Sequence, residues 1–309
     1  MTSLIRCLAA AAALSAAACT TLPTADWRPP AGSDLPVRAE REDAPFHPQE
    51  DYQCGPAALA TALGSAGIAR RPEDLTAEVY IPARQGSLQP EMMAAARRAG
   101  TVAYRLPPEP NALLRELAAG HPVVVLQNLR FDWAPQWHYA AAVGYDLDAS
   151  RIVLRSGRER RLEMTLDDFD RSWAKAGRWA FVALPPDRLP ASAREADYVA
   201  AAVALERVAP DAAATAYLTA LQAWPANLIA RIGHGNAAYR QGDLPAAERA
   251  FRQATLDHPE AGDAWNNLAQ VLYERGERAA ARAAAERAVA IGGARLPIYQ
   301  RTLDLIAGG

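Results

Sequence analysis

The sequence predicts two regions of different class, an α+β domain over residues 46–187 and an all-α helical-repeat solenoid over residues 193–309. Helix-like segments such as CGPAALATALGSAG precede strand-like segments such as HYAAAVGYD, RIVLRSG and RWAFVALP, an order typical of α+β folds. From about Ala193 the strand signals end, and small residues recur every 34 positions. These two patterns predict the domain boundary.

The C-terminal region carries an internal repeat. Gly242 and Gly276 are 34 residues apart, and Pro225 and Pro259 share that spacing one phase earlier. Small residues are needed where paired helices approach closely, and proline ends a helix. Two units resemble the tetratricopeptide repeat, residues 197–225 resemble it more weakly, and RLPIYQRTLDLIA is predicted to be a capping helix. The resemblance implies a surface that docks a protein partner or an extended peptide.

The N-terminal segment is typical of an export signal followed by a tether. Arg6 precedes an apolar run over residues 7–18, which is shorter than the roughly 18 apolar residues of a membrane-spanning helix. Residues 1–18 are therefore predicted to be a signal peptide. The sequence AAAC ending at Cys19 resembles a bacterial lipoprotein box, which implies a lipid on Cys19 that binds a membrane, and Thr20 favours the outer one. Cleavage after Ala18 without lipidation, giving a secreted periplasmic protein, is the alternative.

Residues 19–45 are rich in proline and charge and have no apolar period, which predicts an extended tether. The whole chain has 33 basic and 35 acidic side chains, a net charge of -2, so no basic surface indicates nucleic-acid binding. Metal-ligand spacings, phosphate-binding loops and serine elbows are absent from the sequence. We therefore expect no metal and no cofactor.

Cysteine usage singles out one thiol. Of the three cysteines, Cys7 would leave with the signal peptide and Cys19 would carry lipid, so Cys54 has no partner in its own chain. Cys54 precedes Gly55 and Pro56 at the predicted start of a helix, where the partial positive charge favours thiolate over thiol. The pattern predicts a nucleophile with a depressed pKa. The alternative is a small buried apolar residue, the usual role of a free cysteine.

Among the five histidines, His138 has the most suitable setting for a general base. It opens the strand HYAAAVGY, and a strand end is a rigid mount for a catalytic side chain. The alternative is an ordinary half-exposed histidine at a strand start. His47 lies in the same loop as Cys54 but would be poorly held there. Trp133 and Trp137, just before His138, could form a substrate wall or cover a small core, and the sequence leaves both open.

The segments YQCGPAALA, WHYAAAVGYD and IVLRSG together resemble the bacteriocin-processing, double-glycine-leader cysteine peptidases, which are compact relatives of papain. The resemblance spans about residues 46–186 and implies a papain-like fold, with Cys54 as the nucleophile and His138 as the base. It also implies a glutamine upstream of the cysteine that completes the oxyanion hole. Gln49 is the nearest candidate, one position short of the usual spacing, and Gln53 is the reserve.

The third catalytic member departs from the family pattern. Where these peptidases have an aspartate after the strand, this chain has Ser156, and Asp146 and Asn128 are the other candidates. The resemblance implies an envelope-anchored cysteine peptidase that hydrolyses peptide bonds in a peptide or protein substrate, with the repeats docking substrate or partner. Amide transfer or hydrolysis on a cell-wall peptide is a variant of this function. The alternative function is a catalytically weak or inactive peptide-binding scaffold in an envelope complex.

Overall fold

The structure, a computed structural model, describes residues 25–48 and 53–308. The predicted signal peptide and Cys19 lie outside these residues. The strands are β1 Arg38–Glu40, β2 Tyr80–Ile81, β3 Gly86–Ser87, β4 Val102–Arg105, β5 Val123–Asn128, β6 Trp137–Asp146, β7 Arg151–Ser156, β8 Glu159–Thr165 and β9 Ala180–Leu184. The helices of the first region are α1 Cys54–Ser65, α2 Pro72–Val79, α3 Gln89–Arg98, α4 Pro110–Ala118 and α5 Leu166–Ala174.

An antiparallel sheet organises the first region. Within the described residues its strand order is β4-β9-β5-β6-β7-β8. Strand β1 pairs with Gly144–Asp146 of β6 and so continues the line of β5, which pairs with the first half of β6. The small β2–β3 hairpin stands apart from this sheet. The ten-residue strand β6 is therefore the central support of the domain.

Helices cover both faces of the sheet. Helices α1, α2 and α3 bury Leu59, Leu75 and Met92 against one face, while α4 and α5 bury Leu113 and Trp173 against the other. Because side chains of a strand alternate between faces, Tyr139 of β6 joins the first core and its neighbour Ala140 joins the second. Apolar residues on both faces are what a sheet buried between two helical layers requires.

The C-terminal region consists of helical hairpins. Its helices are α6 Glu195–Glu206, α7 Pro210–Ala223, α8 Leu228–Arg240, α9 Leu244–Asp257, α10 Gly262–Glu274, α11 Arg278–Ile291 and α12 Leu296–Gly308. The hairpins α8–α9 and α10–α11 begin 34 residues apart, at Leu228 and Gly262. Helix packing inside them is close, since a Cβ on Gly235 would stand 2.5 Å from the Phe251 ring. The predicted class, an α+β domain followed by an all-α repeat region, is confirmed.

The first helical hairpin is fused to the sheet domain. Tyr198 of α6 and Tyr217 of α7 belong to the same hydrophobic core as Tyr104 of β4. The connecting segment is also bound, because the Ser192 N–H and hydroxyl both donate to a carboxylate oxygen of Glu116, each at 2.6 Å. Glu116 itself is fully buried. The repeat region therefore starts as part of the sheet's second helical layer.

The segment predicted to be a free tether packs against the domain over its described part. Trp27 is buried with its ring 5.9 Å from that of Phe169 and 6.3 Å from that of Trp173. Residues 38–40 add β1 to the sheet. The tether prediction for residues 25–45 is therefore wrong, because a single large aromatic and a three-residue strand can dock without any apolar period. In the described residues, no helix is long and apolar enough to cross a membrane.

We expect Tyr198→Ala to lower the free energy of unfolding by about 3–5 kcal/mol, because it empties a fully enclosed site in the shared core. Urea unfolding should be followed by circular dichroism, which reports helices, and by tryptophan fluorescence. Both signals should shift together, since one core joins the two regions. Leu218→Ala, at a half-exposed position of α7, is the control and should change stability by less than about 1 kcal/mol. A shift in the helical signal alone would contradict the shared core.

Candidate active site

Cys54 is the first residue of α1, and its sulfur is surrounded by backbone N–H groups. The N–H groups of Tyr139, Gly55 and Cys54 itself lie within hydrogen-bonding reach of the sulfur. Those of Cys54 and Gly55 have no helical carbonyl to bind, since they belong to the first turn. Gly55 is required by close packing, because a Cβ there would stand 2.5 Å from the Ser87 hydroxyl oxygen. The helix start is thus held against the β2–β3 hairpin and β6.

Burial reverses the expected electrostatics of this thiol. Desolvation raises the pKa of Cys54 above its ordinary value, and hydrogen bonds from the N–H groups of Tyr139, Gly55 and Cys54 lower the pKa by less. The sequence-based prediction of a depressed pKa is therefore wrong. That prediction included the effect of the helix end on the pKa. It could not include the desolvation of a side chain that packs against the core between α1 and β6. At neutral pH the resting side chain is a thiol.

His138 stands at the second position of β6, beside the strand residue whose N–H contacts the sulfur. Its Nε2 lies 2.8 Å from the Ser156 hydroxyl oxygen at the end of β7. Burial lowers the pKa of His138, so its ring is neutral at neutral pH. Within the described residues no hydrogen bond joins the Cys54 sulfur to the ring. The tautomer that donates from Nε2 to Ser156 leaves Nδ1 able to accept a proton.

The three candidates for the third catalytic member occupy different places. Ser156 binds the His138 ring directly. Asp146 lies at the opposite end of β6, on the order of 25 Å away, where it pairs with Arg38 at 3.3 Å. Asn128 is buried, and its side-chain oxygen accepts from the N–H groups of Arg130 and Gln136 at 3.1 and 3.0 Å. Asp146 and Asn128 are therefore wrong as partners of His138.

The oxyanion-hole candidates flank an undescribed stretch. Gln49 lies outside the described residues. Gln53 is the N-cap residue of α1, and its side chain makes no capping hydrogen bond to the helix. The first-turn N–H groups of Cys54 and Gly55 are thus left for other acceptors, including a developing oxyanion.

Two residues that support the candidate active site were not identified in that role from the sequence. Tyr139 contributes its backbone N–H to the sulfur, and its hydroxyl donates to the Ser87 carbonyl at 3.2 Å. Arg155 is buried, and its guanidinium donates to the carbonyls of Arg160, Glu42, Ala44 and Arg41 at 2.6 to 3.4 Å. It thereby fixes the chain that leads to residue 48. An arginine directly after the apolar residues 152–154 of β7 was the available signal for this second role.

Metal binding has no support in the part of the chain that the structure describes. No group of three or more His, Cys, Asp or Glu side chains is arranged there to hold an ion.

We expect the rate of Cys54 alkylation by iodoacetamide to rise with pH beyond the ordinary cysteine pKa, without a plateau at neutral pH. Only the thiolate reacts, and burial favours the thiol. Ser156→Asp should reverse this behaviour. A carboxylate beside His138 raises the pKa of the ring, the resulting imidazolium lowers the pKa of the thiol, and the rate at pH 7 rises about tenfold for each unit of that decrease.

Ser156→Asn is the matched control for this pH profile. It offers the ring a hydrogen-bond acceptor of similar size without charge, so its profile should stay close to that of the unmodified chain. A neutral-pH plateau in the unmodified protein, or equal profiles for the Asp and Asn variants, would contradict this account of the site.

Comparisons with known proteins support the division of the chain. Residues 41–181 match the model of the Peptidase_C39-like family, and residues 232–295 match a tetratricopeptide-repeat model. A similar solved structure is a crystal structure from Bacillus anthracis of a protein provisionally described as a C39-like peptidase. It is 17% identical, covers 48% of this chain and 97% of its own, and has a TM-score of 0.41. No curated protein matches the chain. The chain thus has a C39-peptidase-like domain followed by tetratricopeptide repeats.

Proposed function

We propose that the protein is a cysteine peptidase that hydrolyses peptide bonds through Cys54 and His138. The observation that carries the proposal is the placement of Cys54 at the start of α1 beside Tyr139 of β6, with His138, the preceding residue of that strand, bound to Ser156. The Cys54 sulfur lies at a helix start among free N–H groups, and the His138 ring is oriented by Ser156 at 2.8 Å. The match of residues 41–181 to the C39-like peptidase family supports the same chemistry.

The proposed reaction starts from a neutral thiol and a neutral imidazole. The sulfur attacks the scissile carbonyl carbon while its proton passes to Nδ1 of His138, which is the unprotonated nitrogen when Nε2 donates to Ser156. The carbonyl oxygen gains the negative charge and accepts from the N–H of Cys54, with Gln49 as the proposed side-chain donor. His138 then returns the proton to the leaving amine, the C–N bond breaks and a thioester forms. Water, deprotonated by His138, hydrolyses the thioester.

A peptide-binding scaffold without turnover is the second candidate. Ser156 favours this scaffold, because it orients the ring but cannot offset an imidazolium charge. The raised pKa of Cys54 and the lowered pKa of His138 favour it too, because both groups are then neutral at neutral pH. Both functions place a peptide at Cys54 and His138 and use the same repeats. In either case the tetratricopeptide region would dock a protein partner or the substrate.

Peptide hydrolysis should be measured by mass spectrometry on a proteome-derived peptide library. We expect Cys54→Ala to abolish cleavage and His138→Ala to lower its rate by at least about 10²-fold, because proton transfer to and from the reacting groups is lost. Ser156→Ala should lower it by at most about tenfold, since it removes one neutral hydrogen bond.

His47→Ala, at the histidine nearest to Cys54 in sequence, is the matched control and should keep its activity. Library peptides that bind but are cleaved by neither the unmodified chain nor any variant would favour the scaffold. Activity that survives Cys54→Ala would refute the role of the sulfur as the nucleophile.

We further propose that a lipid on Cys19 anchors the protein at the periplasmic side of the envelope, in the outer membrane. A long acyl chain holds a protein at a membrane surface, and stable anchoring takes more than one chain. Cys19→Ala should abolish incorporation of an alkyne-tagged fatty acid and move the chain from the membrane fraction to the soluble fraction. Ser15→Ala, at a nearby position of the signal, is the control. Equal tagging and partitioning of both variants would contradict the anchor.

A further inference from the structure

The loop between β5 and β6, residues 129–136, and the first residue of β6 carry an exposed apolar surface that the catalytic groups do not use. Its members are Leu129, Phe131, Trp133 and Trp137, with exposed fractions of 45%, 62%, 84% and 52%. The Phe131 and Trp133 rings are stacked, with centroids 5.6 Å apart and planes 11° apart. Trp133 and Trp137 therefore do not cover a core, which was one of the two roles that the sequence left open. We call these four side chains the aromatic platform.

The loop holds the aromatic platform in one shape. The buried Asn128 side chain accepts from the N–H groups of Arg130 and Gln136, and the Leu129 N–H donates to the Gln136 carbonyl at 2.9 Å. From outside the loop, the Lys175 ammonium donates to the Arg130 carbonyl at 2.7 Å. A fixed loop that exposes large apolar side chains resembles a preorganised binding surface.

The position of the aromatic platform connects it to the candidate active site. Trp137 and His138 are the first two residues of strand β6. Asn128, at the base of the loop, pairs with Trp137 across the two strands. A peptide with its scissile bond at Cys54 would therefore extend past the platform within a few residues.

Size and charge favour a peptide over other occupants. The exposed parts of the four side chains amount to on the order of 400 Å², which is below the roughly 800 Å² that each partner buries in a stable complex. A second copy of the chain would need more surface than this. The exposed Asp132 separates Phe131 from Trp133 in the chain, and inserting the loop into a bilayer would strip water from its carboxylate. An extended peptide can cover the rings while Asp132 stays in water.

We propose that the aromatic platform is a subsite that binds one aromatic or large aliphatic side chain of a peptide whose scissile bond lies at Cys54. This inference rests on the proposed function for the location of the peptide, but the binding itself needs no turnover. The stacked Phe131 and Trp133 rings supply the contact surface, and the Asn128 hydrogen bonds hold them in place.

The test measures equilibrium binding of synthetic peptides to the full chain by fluorescence polarisation. The probes are fluorescein-labelled nonapeptides of alanine and serine, one set with a single phenylalanine at each position in turn and a parent peptide without it. We expect at least one phenylalanine position to strengthen binding about tenfold over the parent. The double variant Phe131→Ala/Trp133→Ala should lose that gain, and Leu256→Ala, which removes a 73% exposed leucine of α9, should keep it.

Several results would overturn the subsite. These are a parent peptide that binds as tightly as every phenylalanine peptide, or a gain that survives in the double variant. Loss of binding to phosphatidylethanolamine–phosphatidylglycerol vesicles in the double variant, with the peptide preference unchanged, would instead assign the platform to a membrane. Concentration-dependent self-association lost in the double variant would assign it to a second copy.

Cys54→Ser separates this inference from the proposed peptidase activity. If the variant keeps the phenylalanine preference and the unmodified chain cleaves no library peptide, the subsite stands and the peptidase function fails. If the unmodified chain cleaves library peptides through Cys54 but phenylalanine brings no gain in binding, the peptidase function stands and the subsite fails.

Discussion

Helix α1 begins beside the first residues of β6, and the Cys54 sulfur lies between them next to the Tyr139 N–H. This contact acts on the thiol in two opposing ways. The N–H groups stabilise negative charge on the sulfur, while the surrounding core removes the water that would stabilise it more. Burial has the larger effect, so the pKa of the thiol rises. The proposed chemistry at this site therefore starts from a thiol and combines proton transfer with attack.

Ser156 fits a site of this kind. A hydroxyl 2.8 Å from His138 Nε2 can orient a neutral ring, and it introduces no buried charge. The neighbouring Arg155 is a buried cation, but its guanidinium is bound to backbone carbonyls, which hold the segment before the site in position. Cys54 and His138 are thus both neutral at neutral pH. If the proposed peptidase function holds, the serine in place of the family aspartate leaves imidazolium formation without a neighbouring carboxylate to offset its charge.

The candidate active site and the aromatic platform lie at one end of the sheet for a topological reason. Strand β5 ends where β6 begins, so the loop that connects them carries the aromatic platform directly beside His138. Asn128 serves this loop and not the imidazole. At the other layer, α6 and α7 complete the hydrophobic core of the sheet, so the repeats have a fixed starting orientation relative to the domain. A partner bound by the repeats would be held at a defined position relative to the candidate site.

Local patterns in the sequence were sufficient for the class of both regions, the helix start at Cys54 and, within one residue, the strand start at His138. Each depends on neighbours a few residues away, such as Gly55-Pro56 or the 34-residue period. Only the tertiary structure distinguished Ser156 from Asp146 and Asn128, because strand register, which is set between distant segments, decides which side chain reaches the ring. The pKa of Cys54 and the docking of Trp27 were likewise decided only by the tertiary structure. Burial is a property of packed surfaces, and neither the helix end nor the proline-rich segment encodes it locally.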